Sequence, residues 1–283
     1  MKFSQIVQRL LRPTGCEFHL RMRSLRPPPA ELRPEDMPLP IDLLDLAVQD
    51  LVRRVPAVVF VQIGAHDGKT FDPIRPYVLQ YGWTGVVVEP QPRIFGQLQA
   101  NYAGQAGIRL ENCAVGPEDG RRDLYVFAEG SGLPEHASML ASFGRENLEN
   151  NTHGYRAPIE AISVPTLTPR TLLRQCGLTT CNLLQIDTEG FDFVILMEFL
   201  RTGILPELIH FESAACSHEQ RNTFLGEFQE HGYRVTTIGI DTLAYRQPGA
   251  GGFAERVDSG EVKPGRRLGF EIKGYAQRVP RLR

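Results

Sequence analysis

Three apolar runs in this sequence end in residues whose types and spacing could do chemistry. The first, Val58 to Ile63, runs straight into Gly64-Ala65-His66-Asp67-Gly68. Glycine in such a turn lets the backbone approach a ligand closely and adopt φ > 0. The spacing is G-x-x-x-G, whereas dinucleotide folds use G-x-G-x-x-G to seat a pyrophosphate on a helix N-terminus. Asp67 stands where a phosphate would sit, which disfavours a diphosphate and suits a cationic ligand. The second run, Val86 to Val88, ends in Glu89-Pro90. That places an acid about 20 residues beyond the glycine turn, where doubly wound folds hold the hydroxyls of a ribose. A carboxylate can accept both hydrogens of the diol. A third strand terminus, Asn112-Cys113-Ala114-Val115-Gly116, falls where an adenine ring would lie, with polar atoms able to read the base edge.

A further buried run, Leu183 to Ile186, delivers Asp187-Thr188-Glu189-Gly190 to its carboxyl end. Open α/β sheets bind ligands at that end, near the switch point of the strand order. Two acids there could take part in binding or acid–base chemistry at a ligand. They could also merely cap the following helix, a role worth about 0.3 to 1 kcal/mol. The run Leu208 to Glu212 ends similarly in His210-Phe211-Glu212-Ser213. Asp187, Glu189 and His210 are therefore the catalytic candidates, with His66, His136, His153 and His218 as further histidines. A hard divalent cation held by the same oxygens is the competing account. With only two acids evident, no metal ligands are assigned.

Alternating elements must position these residues. Strands are expected at 57–63, 84–88, 107–112, 182–187, 207–212, 233–238 and 242–246. Helices are expected at 70–81, 92–103, 168–176, 190–201 and 218–231, the third started by Thr168 and Pro169. This alternation argues for βαβ units, a parallel sheet and the α/β class. Between the third and fourth core strands lies an excursion with strand signals at 122–128 and 159–166. Its middle, 129–157, is rich in Gly, Ser and Asn and reads as a structureless lid or binding loop. Ser138 and Met139 are its expected contacts.

The expected organisation is a basic, Pro-rich helical extension over 1–55, a catalytic domain over 56–247, and a tail over 248–283. Phe3, Ile6, Val7, Leu10 and Leu11 fall on one helical face, and the run Arg26-Pro27-Pro28-Pro29 cannot continue a helix. That face could pack on its own domain, cover a second copy of the chain to give a homo-oligomer, or touch an anionic surface. A second helix around 41–54 should lead into the core.

The whole chain has 283 residues, 42% of them hydrophobic and 23% charged, with Lys+Arg 31 against Asp+Glu 33. A sizeable core can be buried, and the charge balance lacks the basic excess that nucleic-acid binding needs. Five cysteines without a C-x-x-C pair fit neither a disulfide framework nor a zinc ribbon. They fit a reducing cytoplasm. No apolar run reaches the 18 or so residues of a membrane span, and no secretory signal is read at the N-terminus.

Taken in order, VFVQIGAHDG (59–68), GWTGVVVEPQP (82–92), NCAVG (112–116), VPTLTPRTLL (164–173), LLQIDTEGFD (183–192), LIHFES (208–213) and HGYRV (231–235) resemble the FkbM-type family of S-adenosylmethionine-dependent methyltransferases. The resemblance implies a class I, Rossmann-like methyltransferase fold: a mainly parallel seven-stranded sheet, helices on both faces, and an antiparallel last strand. It implies S-adenosyl-L-methionine as cofactor and transfer of a methyl group to a hydroxyl of a sugar, glycan or specialised metabolite. The donor-binding residues expected are Gln62, Gly64, Ala65, His66, Asp67, Gly68, Glu89, Pro90, Asn112, Ala114, Ser138 and Asp187. Three positions depart from the resemblance: His66 in place of Asn, Gln62 in place of Asp, and Gln185 in place of Lys. A sulfonium and a ribose diol without phosphate agree with a pocket of acids. The rivals are a nicotinamide-dependent oxidoreductase, against which the missing G-x-G-x-x-G argues, and a non-catalytic donor-binding module.

Overall fold

A computed structural model describes residues 43–128, 130–133, 135–150 and 157–246. The N-terminal helical face, the Pro-rich run, His153 and the tail lie outside the described residues. In chain order the elements are α1 (Leu43–Arg54), β1 (Val59–Ile63), α2 (Arg75–Tyr81), β2 (Thr84–Val88), α3 (Pro92–Asn101), β3 (Ile108–Glu111), β4 (Ala114–Val115) and β5 (Gly120–Phe127). A 3₁₀ turn (Glu135–Met139), α4 (Arg145–Asn150), β6 (Ile159–Leu167), α5 (Pro169–Cys176), β7 (Leu183–Ile186) and α6 (Asp192–Leu200) follow. The chain then forms β8 (Leu208–Glu212), α7 (His218–Glu230), β9 (Arg234–Ile238) and β10 (Asp241–Tyr245).

Seven strands form one sheet in the order β3-β2-β1-β7-β8-β10-β9. Pairing is parallel from β3 through β8, and β10 runs antiparallel to both β8 and β9. This is the sheet of a class I methyltransferase. The chain steps outward from β1 to β3 and then returns to place β7 beside β1. The switch point, and with it the ligand crevice, therefore lies where β1 and β7 end.

Alternating side chains of these strands load both faces. One apolar layer packs Val61, Ile63, Leu184 and Ile186 against Leu172, Ile195, Phe199 and Phe228 of α5 to α7. The other packs Phe60, Val87 and Leu183 against Val48 and Leu51 of α1, Val78 of α2 and Leu98 of α3. The helix of 43–54, expected as the end of an extension, thus belongs to the core of the described fold.

Two expectations need correction. The helix read over 70–81 begins only at Arg75. Asp67 draws Lys69 and Thr70 into a turn, Phe71 adopts φ 56°, and Asp72 Oδ1 accepts from the amides of Ile74 and Arg75. A continuous helix cannot form through those bonds. The excursion is also less bare than its composition reads. β5 pairs antiparallel with β6, which pairs parallel with β4, so a second, three-stranded sheet carries it. Tyr125 and Ser142 exchange both backbone hydrogen bonds, pinning the loop back on β5.

Candidate active site

A cleft of about 640 Å³, counting the space at its mouth, opens where β1, β2 and β7 end. Its floor comes from the sheet and its outer wall from the excursion. Gly64 leaves β1 at φ 82°, and a Cβ there would lie 1.8 Å from the Asp187 carbonyl oxygen. Only glycine lets the turns after β1 and β7 cross so closely. Two side-chain-bearing residues nearby are also left-handed: His66 at φ 51° and Glu189 at φ 53°. Such backbone costs of order 1 kcal/mol or more and persists where surrounding bonds over-determine it.

For His66 those bonds centre on Glu89. This side chain is 3% exposed. Its Oε2 accepts from the His66 amide at 3.0 Å and its Oε1 from the Gln91 amide at 2.9 Å. Burial pushes the carboxyl up to about 7, against the pull of those amides. Across the cleft, Asp187 is accessible from the mouth yet deep in the molecule. Desolvation, followed by the charges of Asp192, Glu212, Asp241 and Asp72, raises it to about 7 as well. Glu212 is raised to about 7 by burial and then by Glu189, Asp192 and Asp241.

The excursion is fastened over this floor at two points. His66 Nε2 lies 2.8 Å from Ser138 Oγ, and Gln91 Nε2 donates to the Ser138 carbonyl at 2.9 Å. Met139, Ala141, Phe143 and Leu124 thereby line the cleft. Ser142 Oγ donates to the Glu189 carbonyl at 3.2 Å and joins the excursion to the β7 turn.

Of the residues singled out in the sequence, Gly64, His66, Glu89, Pro90, Ala114, Asp187 and Glu189 line one cleft. Ser138 sits at its rim on His66, and Ala65 and Gly68 shape the first turn. A Cβ on Gly68 would come within 2.6 Å of the Leu98 and Tyr102 side chains.

Four others are placed elsewhere. Asp67 gives its carboxylate to the Lys69 and Thr70 amides and to Thr70 Oγ1. Its burial raises the pKa, but those bonds together hold it below the ordinary value. Gln62 donates to Asp72 at 3.1 Å and does not line the cleft. His210 Nδ1 lies 2.7 Å from Gln185 Oε1. Asn112 Nδ2 donates to the carbonyls of Glu89 and Pro90, so it holds the β2 end instead of reaching the cleft. Gln91, Thr188, Phe143 and Leu124 line the cleft without having been singled out. Gln91 was findable, because it stands two residues after Glu89 and just before the Pro92 that starts α3. Among the described residues, no group of three or more His, Cys, Asp or Glu is placed to hold a metal ion.

Residues 62–235 match the family model of the methyltransferase FkbM domain. The chain belongs to the FkbM methyltransferase family. An FkbM methyltransferase from Methylobacillus flagellatus KT is 12% identical, with a TM-score of 0.42, over 67% of this chain and 43% of that one. A precorrin-6y C5,15-methyltransferase from Geobacter metallireducens GS-15 is also 12% identical, with a TM-score of 0.36, over 71% and 86% of the two chains. A Podospora anserina methyltransferase bound to S-adenosylhomocysteine is 10% identical, with a TM-score of 0.33, over 76% and 81%. No curated protein matches by sequence.

The cleft of this FkbM methyltransferase fits the cofactor of its family. Glu89 holds two acceptor oxygens side by side where a ribose diol would lie, and the crossing at Gly64 leaves no side chain between the β1 and β7 turns. The acids around it complement a cation.

Proposed function

We propose that this methyltransferase transfers a methyl group from S-adenosylmethionine to a hydroxyl of a sugar, glycan or specialised metabolite. The observation carrying this reading is Asp187: a carboxyl raised to about 7, accessible from the cleft, opposite the buried Glu89. When bound, the donor supplies a methyl group on a positively charged sulfur. Glu89 would accept from the ribose hydroxyls of the donor, and Ala114 and Pro90 would lie beside its base. The amides of His66 and Gln91 fix the Glu89 carboxylate in place. Asp187 takes the proton of the acceptor hydroxyl as the O–H bond breaks, and a base titrating near the working pH is well matched to that task. Glu189, held by the Ser142 bond to its carbonyl, orients the acceptor. Met139, Ala141 and Phe143 of the excursion shield the outer wall of the cleft from water. Positioning of this kind supplies up to ~7 to 11 kcal/mol of barrier lowering.

Asp187→Asn tests the assignment. The methyl-transfer rate should fall by about 10² to 10⁴, the usual range for losing a general base, while the affinity for S-adenosylhomocysteine stays within a few fold. Full activity in excess EDTA is expected alongside. Loss of activity in EDTA restored by Mg²⁺ would move the hydroxyl activation to a metal. An active Asp187→Asn enzyme would remove Asp187 from the reaction.

A further inference from the structure

The acidic floor of the cleft is answered at its rim by an arginine. Arg122 stands on β5 two residues before Leu124, so the two project from the same face of the strand, and Leu124 is part of the cleft wall. The Arg122 guanidinium carbon lies 4.7 Å from the centroid of Phe143 and 5.0 Å from that of Phe191. The two rings meet edge to face with centroids 5.0 Å apart. Phe143 lines the cleft, and Phe191 follows the Asp187 to Gly190 turn directly.

The neighbouring Arg121 donates to Ser163 Oγ and to the Ser163 carbonyl. Arg122, exposed, makes no hydrogen bond or ion pair among the described residues. Stacked on aromatic faces, a guanidinium keeps its N–H donors in its own plane, directed outward in a fork that matches a carboxylate or phosphate. The rings also restrict its rotamers before any ligand arrives, which lowers the ordering cost of binding.

We propose that Arg122 is the acceptor-anchoring residue of this site and that the acceptor carries an oxyanion, a carboxylate or a phosphate monoester, near the hydroxyl that is methylated. This deepens the methyl-transfer reading and rests on it. An anionic acceptor is repelled by Asp187, Glu189 and Glu89 on the floor and attracted by Arg122 on the rim. Its charged end is therefore directed outward and its hydroxyl inward. A neutral acceptor would gain nothing from that polarity.

Calorimetric titration decides the point. The full chain, with and without saturating S-adenosylhomocysteine, is titrated separately with inorganic phosphate, glucuronate and glucose. Wild-type protein should bind at least one of the anions saturably and glucose not at all, and the better anion distinguishes phosphate from carboxylate acceptors. Arg122→Gln should weaken that binding at least tenfold. Arg122→Lys, which keeps charge and stem but loses the fork, should weaken it several-fold. No saturable anion binding to the wild type overturns the proposal, as does equal affinity in the folded Gln variant. If the Gln variant does not fold, unchanged affinity in the Lys variant overturns it. S-adenosylhomocysteine binding is measured in the same series, so a chain that fails to bind it counts against the donor site, while the donor-free titrations still decide Arg122.

Discussion

At the scale of the residue, the site is defined by two carboxyls that the fold makes reluctant to ionise. Burial pushes Glu89 up to about 7, while Asp187, open to the cleft mouth, is raised to about 7 by desolvation on its inner side and by the acids that surround it. The sign of the consequence follows from proton linkage. Between the ordinary carboxylate range and about 7 the folded chain binds more protons than the unfolded one, so folding stability from these groups falls as pH rises to about 7. Donor binding should run the other way. A sulfonium favours ionised carboxylates, so affinity for S-adenosylmethionine should rise with pH up to about 7, by up to about tenfold per pH unit for each group that must ionise. S-adenosylhomocysteine, which lacks the positive sulfur, should show a shallower rise. Parallel calorimetric titrations across that range check the difference, and identical slopes would mean that the acids do not sense the sulfonium. Asp67 shows how a residue type can mislead at this scale. Its position beside glycines fits a cation-binding acid, yet Thr70 and Lys69 satisfy it within its own turn.

At the scale of the element, strand register explains two departures from the family pattern together. Gln62 on β1 stands opposite Gln185 on β7, which stands opposite His210 on β8. The three form a row across the sheet, and both glutamines are at most 3% exposed. Where the resemblance leads one to expect Asp and Lys, this chain has a neutral pair. A charge placed at Gln185 needs a partner, because an unpartnered buried charge costs about 3 to 5 kcal/mol. Gln185→Lys alone should therefore destabilise the fold by about that amount. Adding Gln62→Asp supplies a counter-charge but loses the amide that Asp72 accepts from, so the recovery is read as the coupling between the two positions, of order 1 kcal/mol. Urea unfolding of the four proteins measures it, and simple additivity would show that the two positions are independent. The row also explains the setting of His210, whose Nδ1 lies 2.7 Å from Gln185 Oε1. Sequence places it at a strand end beside Glu212, but alternation and register turn its ring toward Gln185.

At the scale of the whole molecule, much was legible because it depends on period and punctuation. Apolar runs of strand length, Thr168-Pro169 at a helix start and the glycine turn after β1 were enough for the strand sequence, and the family pattern carried the strand order. The second sheet was only partly legible. Its long strands β5 and β6 were read, but β4 is two residues long and gains its meaning from pairing with Thr166 and Leu167 far along the chain. The fastening of Ser138 to His66 and Gln91 likewise joins segments separated by about 50 to 70 positions, which no local pattern encodes. Among the described residues no helix is long and apolar enough to cross a membrane. We propose that the crevice at the β1 and β7 ends is a donor site organised by Glu89. The direct measurement is titration of the chain with S-adenosylhomocysteine, wild type beside Glu89→Gln. Gln is nearly isosteric but loses the charge and one acceptor, and a charge-assisted bond is worth about 1.5 to 3 kcal/mol. One molecule bound per chain, with affinity at least tenfold weaker in a folded Glu89→Gln protein, is the predicted result. No binding by the folded wild type, or equal binding by the variant, would contradict it.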